Sequence, residues 1–469
     1  MLIQLLKCLQ GTLETSAIVY GGMALLFLLS LVITVMIQTG NTSTTRRKLR
    51  HMRKLGVSKS NMADQYDSRY GVPEGTATKG PCSIKAIYVH PVKSCGPVEL
   101  ERALLTKTGF LYDRFFAFAA EVTETQQTGG STWKFISQRT KPSMSRIKTE
   151  LWLPHKESNA NDPLVQAGGC VVLTFPDPDH PSWTDRLSAL FYTGSTSATP
   201  QTSFIAPLQP TPAQIDQFQV NPKTFRIHSR DVKGLDLGTV PSVSAALPKL
   251  KRFLNIPNDQ GLTLLRCTPE GLTRTDKNLA PLEHIGSPAT HGYTDQQPVN
   301  INSLSSVHAT SALLPTENQP LNALRFRANI WITGASAFAE ETWKRYRILP
   351  KDVSMGPRAA VAPTLSVVCR TSRCTIPNVD PDTGEFDADL PLPGKKRGRP
   401  QPSTTLVEHR TVETGNKSAL GYMGMHCVPE DRALVEAARQ GGSLYVEVGD
   451  AIEVLEQGEH LYGSTGNDY

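Results

Sequence analysis

Short apolar runs separated by turn residues recur along the chain after residue 80 and predict a protein rich in β-strands. One segment, Val243–Leu254, instead has leucines at helical spacing and predicts a helix in which Pro248 is placed to introduce a kink. The pattern therefore predicts a mixed α/β fold in which strands predominate. The clearest predicted strands are Ile84–His90, Trp133–Arg139, Met144–Trp152, Phe225–Val232 and Leu262–Cys267.

The N-terminal region has a different pattern, because Ala17–Ile37 is an uncharged run of 21 residues rich in Leu, Val and Ile. A helix needs about 20 apolar residues to cross a bilayer, whereas the apolar core of a cleaved signal peptide has about 7–15. Basic residues follow the run, and only Lys7 precedes it, which places the chain from residue 41 onward in the cytosol. The sequence predicts a single N-terminal signal anchor with a cytosolic globular body.

The formal net charge of +6 is concentrated next to this run, since residues 41–60 contain seven Lys and Arg and no acid. The rest of the chain is close to neutral, which does not indicate a nucleic-acid-binding domain. A second basic segment, Gly394–Pro400, is similar to an AT-hook, a short binder of the DNA minor groove. On a membrane-anchored chain we interpret it as a solvated loop and expect no nucleic-acid partner.

Three polar stretches lie before or between the predicted strands. Residues 55–80 predict a linker, and residues 155–220 predict a long insertion between short strands. Residues 268–297 predict a surface loop. The folded core is therefore expected to be built from the segments between them.

One cysteine lies among residues that favour a metal-binding or nucleophilic thiol. The eight cysteines show no paired spacing, which indicates a reducing compartment rather than a disulfide framework. The apolar pair Val367–Val368 predicts a strand that leads to Cys374, beside Arg370 and Arg373, and a turn follows at Asp380–Gly384. Nearby positive charge favours the thiolate, which binds soft metals or acts as a nucleophile. The alternative for a lone cysteine is a half-buried structural role.

A second polar motif precedes an apolar run at residues 330–334. Arg325, Arg327 and Asn329 would share one face of a strand with period two, with a bend near Ala328. Such a face suits recognition of a planar heterocycle and a phosphate by bidentate hydrogen bonds. The alternative is a solvated strand face.

Three further pairs of polar residues lie where predicted elements begin or end: Lys93–Ser94, Asp113–Arg114 and Ser305–Ser306. The first pair follows a strand and suits an anion, although a solvated lysine explains it equally well. The second pair is also consistent with a local ion pair, which contributes little when exposed. The two serines precede a helical segment, where hydroxyls cap the helix or free amides bind phosphate.

These separated motifs resemble, in the same order, the signatures of MOSC domains and of the barrel domain that precedes them. The matching segments are His90–Ser94, Arg325–Asn329 and Ser372–Gly384, and Ala328 stands where the family pattern has Pro. The resemblance is strongest to the mitochondrial amidoxime-reducing component group. It covers most of residues 82–154 and 225–455.

The resemblance implies an N-terminal β-barrel-like domain packed on a MOSC β-barrel with flanking helices, preceded by the single transmembrane helix. The expected divisions are a membrane anchor at 1–40, with the helix at about 17–37, and a basic juxtamembrane segment and linker at 41–80. The N-terminal barrel domain, with its insertion, follows at 81–220, and the MOSC domain follows at 221–469.

The resemblance also implies a molybdenum–molybdopterin cofactor. Cys374 would be the catalytic residue and the protein's ligand to molybdenum. The group is also associated at family level with pyridoxal phosphate binding. The residues implied to contact the molybdenum cofactor are Lys93, Ser94, Arg114, Ser305, Ser306, Arg327, Asn329, Ser372 and Arg373.

The activity implied by the resemblance is reduction of small N-hydroxylated compounds such as amidoximes and hydroxylamines. The chain has no G-x-G-x-x-G dinucleotide motif and no visible flavin or haem motif, so electrons would come from a partner. In the family that partner is a cytochrome b-type haem protein with its NADH-dependent flavin reductase. The expected location is the mitochondrial outer membrane, with the endoplasmic reticulum as the alternative.

Two other classes of function remain open. Cys374 could carry a persulfide, as in the C-terminal domain of molybdenum cofactor sulfurases, although this chain lacks room for the pyridoxal-phosphate domain that loads the sulfur. The protein could also bind molybdopterin without catalysis. Molybdenum and pterin content would distinguish these classes most directly.

Overall fold

The computed structural model describes residues 19–32, 45, 47–78, 80–123, 131–179, 199–275, 280–351, 356–387, 400–413 and 421–460. The chain divides into two compact units, of which the first comprises residues 1–50 and 176–203. The second comprises residues 51–175 and 204–469 and contains the candidate site.

The predicted membrane span is described only in part. Residues 19–32 are helical, and the remainder of the 17–37 run lies outside the described residues. Among the residues that are described, no helix combines the length and apolar character needed to cross a bilayer. Of the AT-hook-like segment Gly394–Pro400, only Pro400 is described.

Strands dominate the second unit, in agreement with the predicted mixed α/β, β-rich fold. In the described part of the chain the strands are β1 (Met52–Lys54), β2 (Ser83–Val89), β3 (Val98–Leu100), β4 (Arg102–Thr106), β5 (Gly109–Phe110), β6 (Phe116–Thr123), β7 (Ser131–Phe135), β8 (Lys148–Pro154), β9 (Cys170–Pro176), β10 (Gln201–Pro207), β11 (Pro222–Ile227), β12 (Arg230–Asp236), β13 (Leu262–Cys267), β14 (Thr273–Arg274), β15 (Thr290–His291), β16 (Val299–Ser303), β17 (Ile330–Thr333), β18 (Trp343–Leu349), β19 (Thr364–Arg373), β20 (Gly421–Pro429), β21 (Tyr445–Glu447) and β22 (Ala451–Gln457).

Among its described residues, the α-helices of this unit are α1 (Pro163–Gln166), α2 (Pro212–Phe218), α3 (Pro241–Phe253), α4 (Leu282–Ile285), α5 (Leu304–Ser311), α6 (Ser403–His409) and α7 (Asp431–Arg439). The longest, α3, confirms the helix predicted from leucine spacing and includes Pro248. Its buried side is formed by Val243, Ala246 and Leu250, which belong to the main apolar core.

The largest sheet carries the candidate site and has the order β17-β16-β20-β19-β18-β22-β2-β3. Because β17 also pairs with β2, with Ile330 opposite Ile87, seven of these strands close on themselves. Every residue of the central strand β20 is buried. The end of β2 lies beside the starts of β16 and β17, because Ile330 is opposite both Ile87 and Ile301.

A second closed barrel has the order β11-β12-β13-β6-β7. Its interior is apolar, with Phe225, Ile227 and Leu265 each at most 1% exposed. Strands β6 and β7 precede residue 220 and β11, β12 and β13 follow it. The barrel therefore extends across the boundary predicted between residues 220 and 221.

The linker prediction is wrong for residues 55–72, whereas residues 73–78 are exposed. Strand β1 pairs with β8, and backbone hydrogen bonds join the segment to the fold as far as residue 72. Met62 is 1% exposed and lies in an apolar cluster with Leu304 and Trp331. The Asn61 backbone N–H donates to Glu99 Oε1 over 2.7 Å. A buried apolar side chain and paired polar groups hold this segment in place despite its polar composition.

The surface-loop prediction for residues 268–297 is also wrong for the described part. This stretch contains β14, α4 and β15, and Tyr293 is fully buried against the ring of Phe225, with 5.2 Å between ring centroids. Burial of one aromatic side chain anchors the stretch to the five-stranded barrel. This contact brings the stretch to the candidate site.

Candidate cofactor site

A cavity of about 340 Å³ opens where the end of β19, the turn before β17 and the β11–β12 hairpin meet. Its described lining includes five arginines, Lys93 and one carboxylate, Asp295. The concentration of cationic side chains favours an anionic ligand.

Eight of the ten residues predicted as site residues line this cavity, although they are far apart in the sequence. They are Lys93, Ser94, Arg114, Arg327, Asn329, Ser372, Arg373 and Cys374. The remaining two, Ser305 and Ser306, lie outside it.

The two serines occupy the first turn of α5, where both side chains are buried. Ser305 Oγ lies 2.7 Å from the carbonyl oxygens of Tyr70 and Ala335, and Ser306 Oγ donates to Glu340 Oε1 over 2.7 Å. Their hydroxyls are engaged by protein groups because helix α5 turns them toward the interior. The structure therefore places neither serine at the cavity.

Cys374 is the first residue beyond β19 and precedes a short 3₁₀ turn at Ile376–Asn378. Of the seven cysteines in the described part of the chain, it is the only exposed one, and Cys369 is buried. Burial raises the pKa of other thiols, such as those of Cys95 and Cys427, to about 12. Cys374 is thus the accessible thiol of the cavity.

Of the two arginines expected beside Cys374, only one lines the cavity. Arg370 donates to Glu341 Oε2 over 2.8 Å and does not line the cavity. Arg373 does line it, and its guanidinium donates to the carbonyl oxygens of Met423 and Phe326, each over 2.8 Å. Burial lowers the pKa of Arg373 to about 10. Of these two arginines, Arg373 is therefore the one at the cavity.

The prediction that Arg325, Arg327 and Asn329 share a strand face is wrong. Ala323–Phe326 forms a 3₁₀ turn capped by the Asn322 side chain, which accepts from Leu324 N, and β17 begins only at Ile330. Arg327 has a left-handed φ of 53°, so the three side chains do not follow a period of two.

The 3₁₀ turn sends the two arginines to different partners. Arg325 donates to Asp380 Oδ2 over 3.0 Å and to Asp387 Oδ1 over 2.8 Å, which ties the turn to the loop that follows Cys374. Arg327 Nη1 donates to the carbonyl oxygen of Cys95 over 2.9 Å. Asn329 is a structural link, because its Nδ2 donates to the carbonyl oxygen of Tyr88 over 3.1 Å.

The Asp113–Arg114 pair is buried rather than solvated. Arg114 Nη1 donates to both carboxylate oxygens of Asp113, over 2.7 and 2.6 Å. Burial works to raise the pKa of Asp113, but the charge of Arg114 and a hydrogen bond from His90 outweigh it and hold that pKa at about 2. The pair fixes the Arg114 guanidinium at the cavity wall.

Two residues that sequence reasoning missed also line the cavity: Asp295 and His228. Asp295 Oδ1 accepts from Lys93 Nζ and lies 3.2 Å from His228 Nε2. The charge of Lys93 and the hydrogen bond from His228 hold the pKa of Asp295 well below its usual range. No local sequence signal identified either residue, because tertiary packing of two separate turns brings them together.

The lining also carries buried polar atoms that have no hydrogen-bond partner among the described residues. They are Thr294 Oγ1, Gln297 Oε1, Arg325 Nε, Arg327 Nη2 and His426 Nδ1. A buried polar atom without a partner is unfavourable, so such a set indicates a ligand that supplies donors and acceptors. A heterocycle with ring nitrogens and an attached phosphate fits these atoms and the surrounding arginines.

Two family models match the chain, the MOSC N-terminal beta barrel domain over residues 82–182 and the MOSC domain over residues 288–453. The chain is a MOSC-domain protein. MOSC domains are associated with binding of the molybdenum cofactor. Lys93 and Arg114 lie in the first match and Cys374 in the second, whereas His228 lies between them.

Several curated proteins are distantly similar to this MOSC-domain protein. Rat mitochondrial amidoxime reducing component 2 is 29% identical over 193 residues, which are 41% of this chain and 47% of the relative. The human component 2 is 22% identical over 314 residues, 66% of this chain and 70% of the relative. The human component 1 is 25% identical over 235 residues, 50% of this chain and 56% of the relative. The match to the rat relative thus spans about half of that protein.

Proposed function

We propose that this protein is a molybdenum-cofactor-dependent oxidoreductase that reduces N-hydroxylated compounds, with amidoximes and hydroxylamines as the substrate class. The observation that carries the proposal is an exposed thiol, Cys374, on the wall of a cavity rich in arginine. The names of the distant relatives add support for the substrate class.

The described residues fit the cofactor as follows. Arg114 and Arg327 would hold its phosphate, because Arg327 retains an unpartnered buried N–H among the described residues. Lys93 is already paired with Asp295 and would contact another part of the cofactor. Gln297 and His426 would meet the heterocycle.

At the metal, the Cys374 thiolate would be the protein's ligand, since thiolates are soft donors. When bound, the cofactor supplies a redox centre that transfers two electrons to the N–O bond. The described side chains around the cofactor bind and orient it, and the Arg373 guanidinium lies at the cavity next to Cys374 in the sequence.

The overall reaction converts R–NH–OH, two electrons and two protons to R–NH₂ and water. The N–O bond breaks, the nitrogen keeps a hydrogen and the oxygen leaves as water. The chain carries no dinucleotide-binding glycine motif. We therefore assign electron supply to a partner protein. The resemblance to the amidoxime-reducing components makes a cytochrome b-type haem protein with its NADH-dependent flavin reductase the proposed partner.

We further propose that the N-terminal run anchors the protein in a membrane, the mitochondrial outer membrane ahead of the endoplasmic reticulum. The support is its uncharged length of 21 residues. In the described helical part, Leu25, Leu26 and Phe27 are 65%, 67% and 68% exposed. Full-length protein in isolated membranes should resist carbonate and high salt and dissolve in detergent, and extraction by carbonate would refute the anchor.

The catalytic proposal is tested with the full chain purified in detergent. Molybdenum and released pterin are measured per chain, and benzamidoxime reduction is followed with a chemically reduced dye as electron donor. The proposal expects near-equal molybdenum and pterin contents and formation of benzamidine. Cofactor-loaded protein that does not reduce benzamidoxime would overturn the activity, and a persulfide on Cys374 detected by mass spectrometry would favour a sulfur carrier.

A further inference from the structure

Asp295 is the one carboxylate among the described residues that line the cavity, and six cationic side chains line the same cavity. An anionic cofactor would be attracted by those cations and repelled by this carboxylate. A carboxylate pairs well with a planar group that presents two N–H donors, such as an amidine. The chemistry of Asp295 therefore suits the substrate side of the cavity.

His228 holds this carboxylate. Its Nε2 lies 3.2 Å from Asp295 Oδ1, and its Nδ1 lies 3.0 Å from Arg139 Nη2. An arginine only donates hydrogen bonds, so Nδ1 is the acceptor and the ring proton is on Nε2, which donates to Asp295. The imidazole thus links a cation to the carboxylate in one defined tautomer.

His228 occupies a turn position with an uncommon backbone conformation. Ile227 pairs with Arg230, so His228 lies in a two-residue turn between β11 and β12, and its φ of 53° is left-handed. Glycine or asparagine is preferred in such turns, since a bulky residue is strained there. The ring is held edge-on to Phe135, with 5.0 Å between centroids.

We propose that His228 is a positioning residue that fixes Asp295 to accept hydrogen bonds from the amino group of an amidoxime substrate and from the N–H groups of its amidine product. The inference rests on the proposed function and names its substrate recognition. Lys93 and His228 both contact Oδ1, which leaves Oδ2 for the N–H donors of the ligand. The side chain of Asp295 is 57% exposed, so it is accessible to such a ligand.

The test replaces His228 without straining the turn. Asparagine tolerates the left-handed conformation but is too short to reach Asp295. In the full-length holoenzyme we expect His228→Asn to raise KM for benzamidoxime about tenfold while kcat changes less than about twofold. Calorimetry with benzamidine, on loaded and cofactor-free protein, should show affinity lowered by a similar factor. The melting temperature should stay equal or rise.

Conservative replacements separate positioning from folding. His228→Gln keeps a donor at similar reach and should restore KM to within about threefold of the original protein. Arg139→Met removes the partner of Nδ1 without changing the turn and should raise KM in the same direction as His228→Asn. Gln219→Asn is the matched control, because Gln219 also has a φ of 53° but lies at the end of α2 and outside the cavity lining.

Unchanged KM and unchanged benzamidine affinity in His228→Asn would overturn the inference, as would equal defects in His228→Gln and His228→Asn. The test distinguishes failure of this inference from failure of the proposed function. If the original protein reduces benzamidoxime and His228→Asn behaves identically, only the inference fails. If the original protein reduces no N-hydroxy compound, the function fails, and benzamidine binding still decides the role of His228.

Discussion

Arg114 Nη2 donates a hydrogen bond to the backbone carbonyl of Arg327, with 3.0 Å between the nitrogen and the oxygen. Both residues have left-handed φ angles, 48° and 53°, and they belong to segments matched by different domain models. Burial and the neighbouring charge of Arg114 lower the pKa of Arg327 to about 10. Two strained, crowded cations at one point indicate a site built to receive an anion.

This crowding predicts opposite effects of Arg327→Met on stability and on cofactor retention. The change removes a buried cation that is repelled by Arg114, so the cofactor-free protein should gain on the order of 1 kcal/mol in free energy of unfolding at pH 7. Pterin retained after purification should fall severalfold, as it should in Lys93→Ala and Arg114→Ala. Urea unfolding and fluorescence of released pterin measure the two effects.

The control for Arg327→Met is Arg347→Met, because Arg347 forms a half-exposed pair with Glu453 on the large sheet and does not line the cavity. Arg347→Met should change neither the free energy of unfolding nor the pterin content appreciably. Full pterin content in Arg327→Met would show that Arg327 does not hold the cofactor phosphate.

A buried acid behind the cavity predicts a pH dependence of stability. Burial raises the pKa of Glu340 to about 7, against a hydrogen bond from Ser306 that works to lower it. The folded protein therefore binds this proton more tightly than the unfolded chain, and stability falls as pH rises from 4.5 to about 7. Glu340→Gln should remove this loss and raise the free energy of unfolding at pH 8 by roughly 2–3 kcal/mol, with little change at pH 4.5.

The adjacent acid provides the contrasting variant. Glu341 pairs with Arg370 over 2.8 Å and with Arg410, so Glu341→Gln weakens the ion pairing of both arginines and should destabilise the protein at pH 8. Urea unfolding at pH 4.5 and pH 8 compares the two variants. A Glu340→Gln curve parallel to that of the original protein would disprove the raised pKa.

Several parts of the fold and site are predictable from local sequence, and others depend on distant packing. The strand that ends at Cys374 is marked by an apolar run and a turn signal, and helix α3 by its leucine spacing. The Arg325–Asn329 segment was misassigned because a 3₁₀ cap at Asn322 overrides the apparent alternation.

The residues that sequence reasoning missed share a physical cause. His228 and Asp295 lie in two turns, 67 positions apart, that meet only because the five-stranded barrel and buried Tyr293 bring them together. Ser305 and Ser306 were assigned to the cofactor because a helix start can bind phosphate, but α5 faces a buried carboxylate instead. Neither outcome is encoded in local spacing.

The N-terminal segment taken as a linker predicts a dependence of the site on Gln65. Its Oε1 accepts from the backbone N–H of Ala323, at the start of the 3₁₀ turn that carries Arg325, over 2.8 Å. Gln65→Ala leaves that buried N–H without a partner and should lower the free energy of unfolding by about 1–3 kcal/mol.

Hydrogen exchange should locate this effect at Ala323, whose amide loses protection in Gln65→Ala. Gln65→Glu retains an acceptor oxygen and should preserve most of the protection. Equal protection of the Ala323 amide in Gln65→Ala and the original protein would show that this contact does not hold the turn.

The central claim is that Cys374 is the protein's ligand to molybdenum, and Cys374→Ser tests it most directly. A hard, protonated hydroxyl is a poor ligand for this metal, whereas the pterin is held by other groups. Cys369→Ser, at a buried position on the same strand, is the matched control. The measurement is benzamidoxime reduction with molybdenum and pterin content for each variant. We expect Cys374→Ser to retain pterin and lose reduction while Cys369→Ser keeps much of its activity; reduction by Cys374→Ser at the original rate would contradict the assignment.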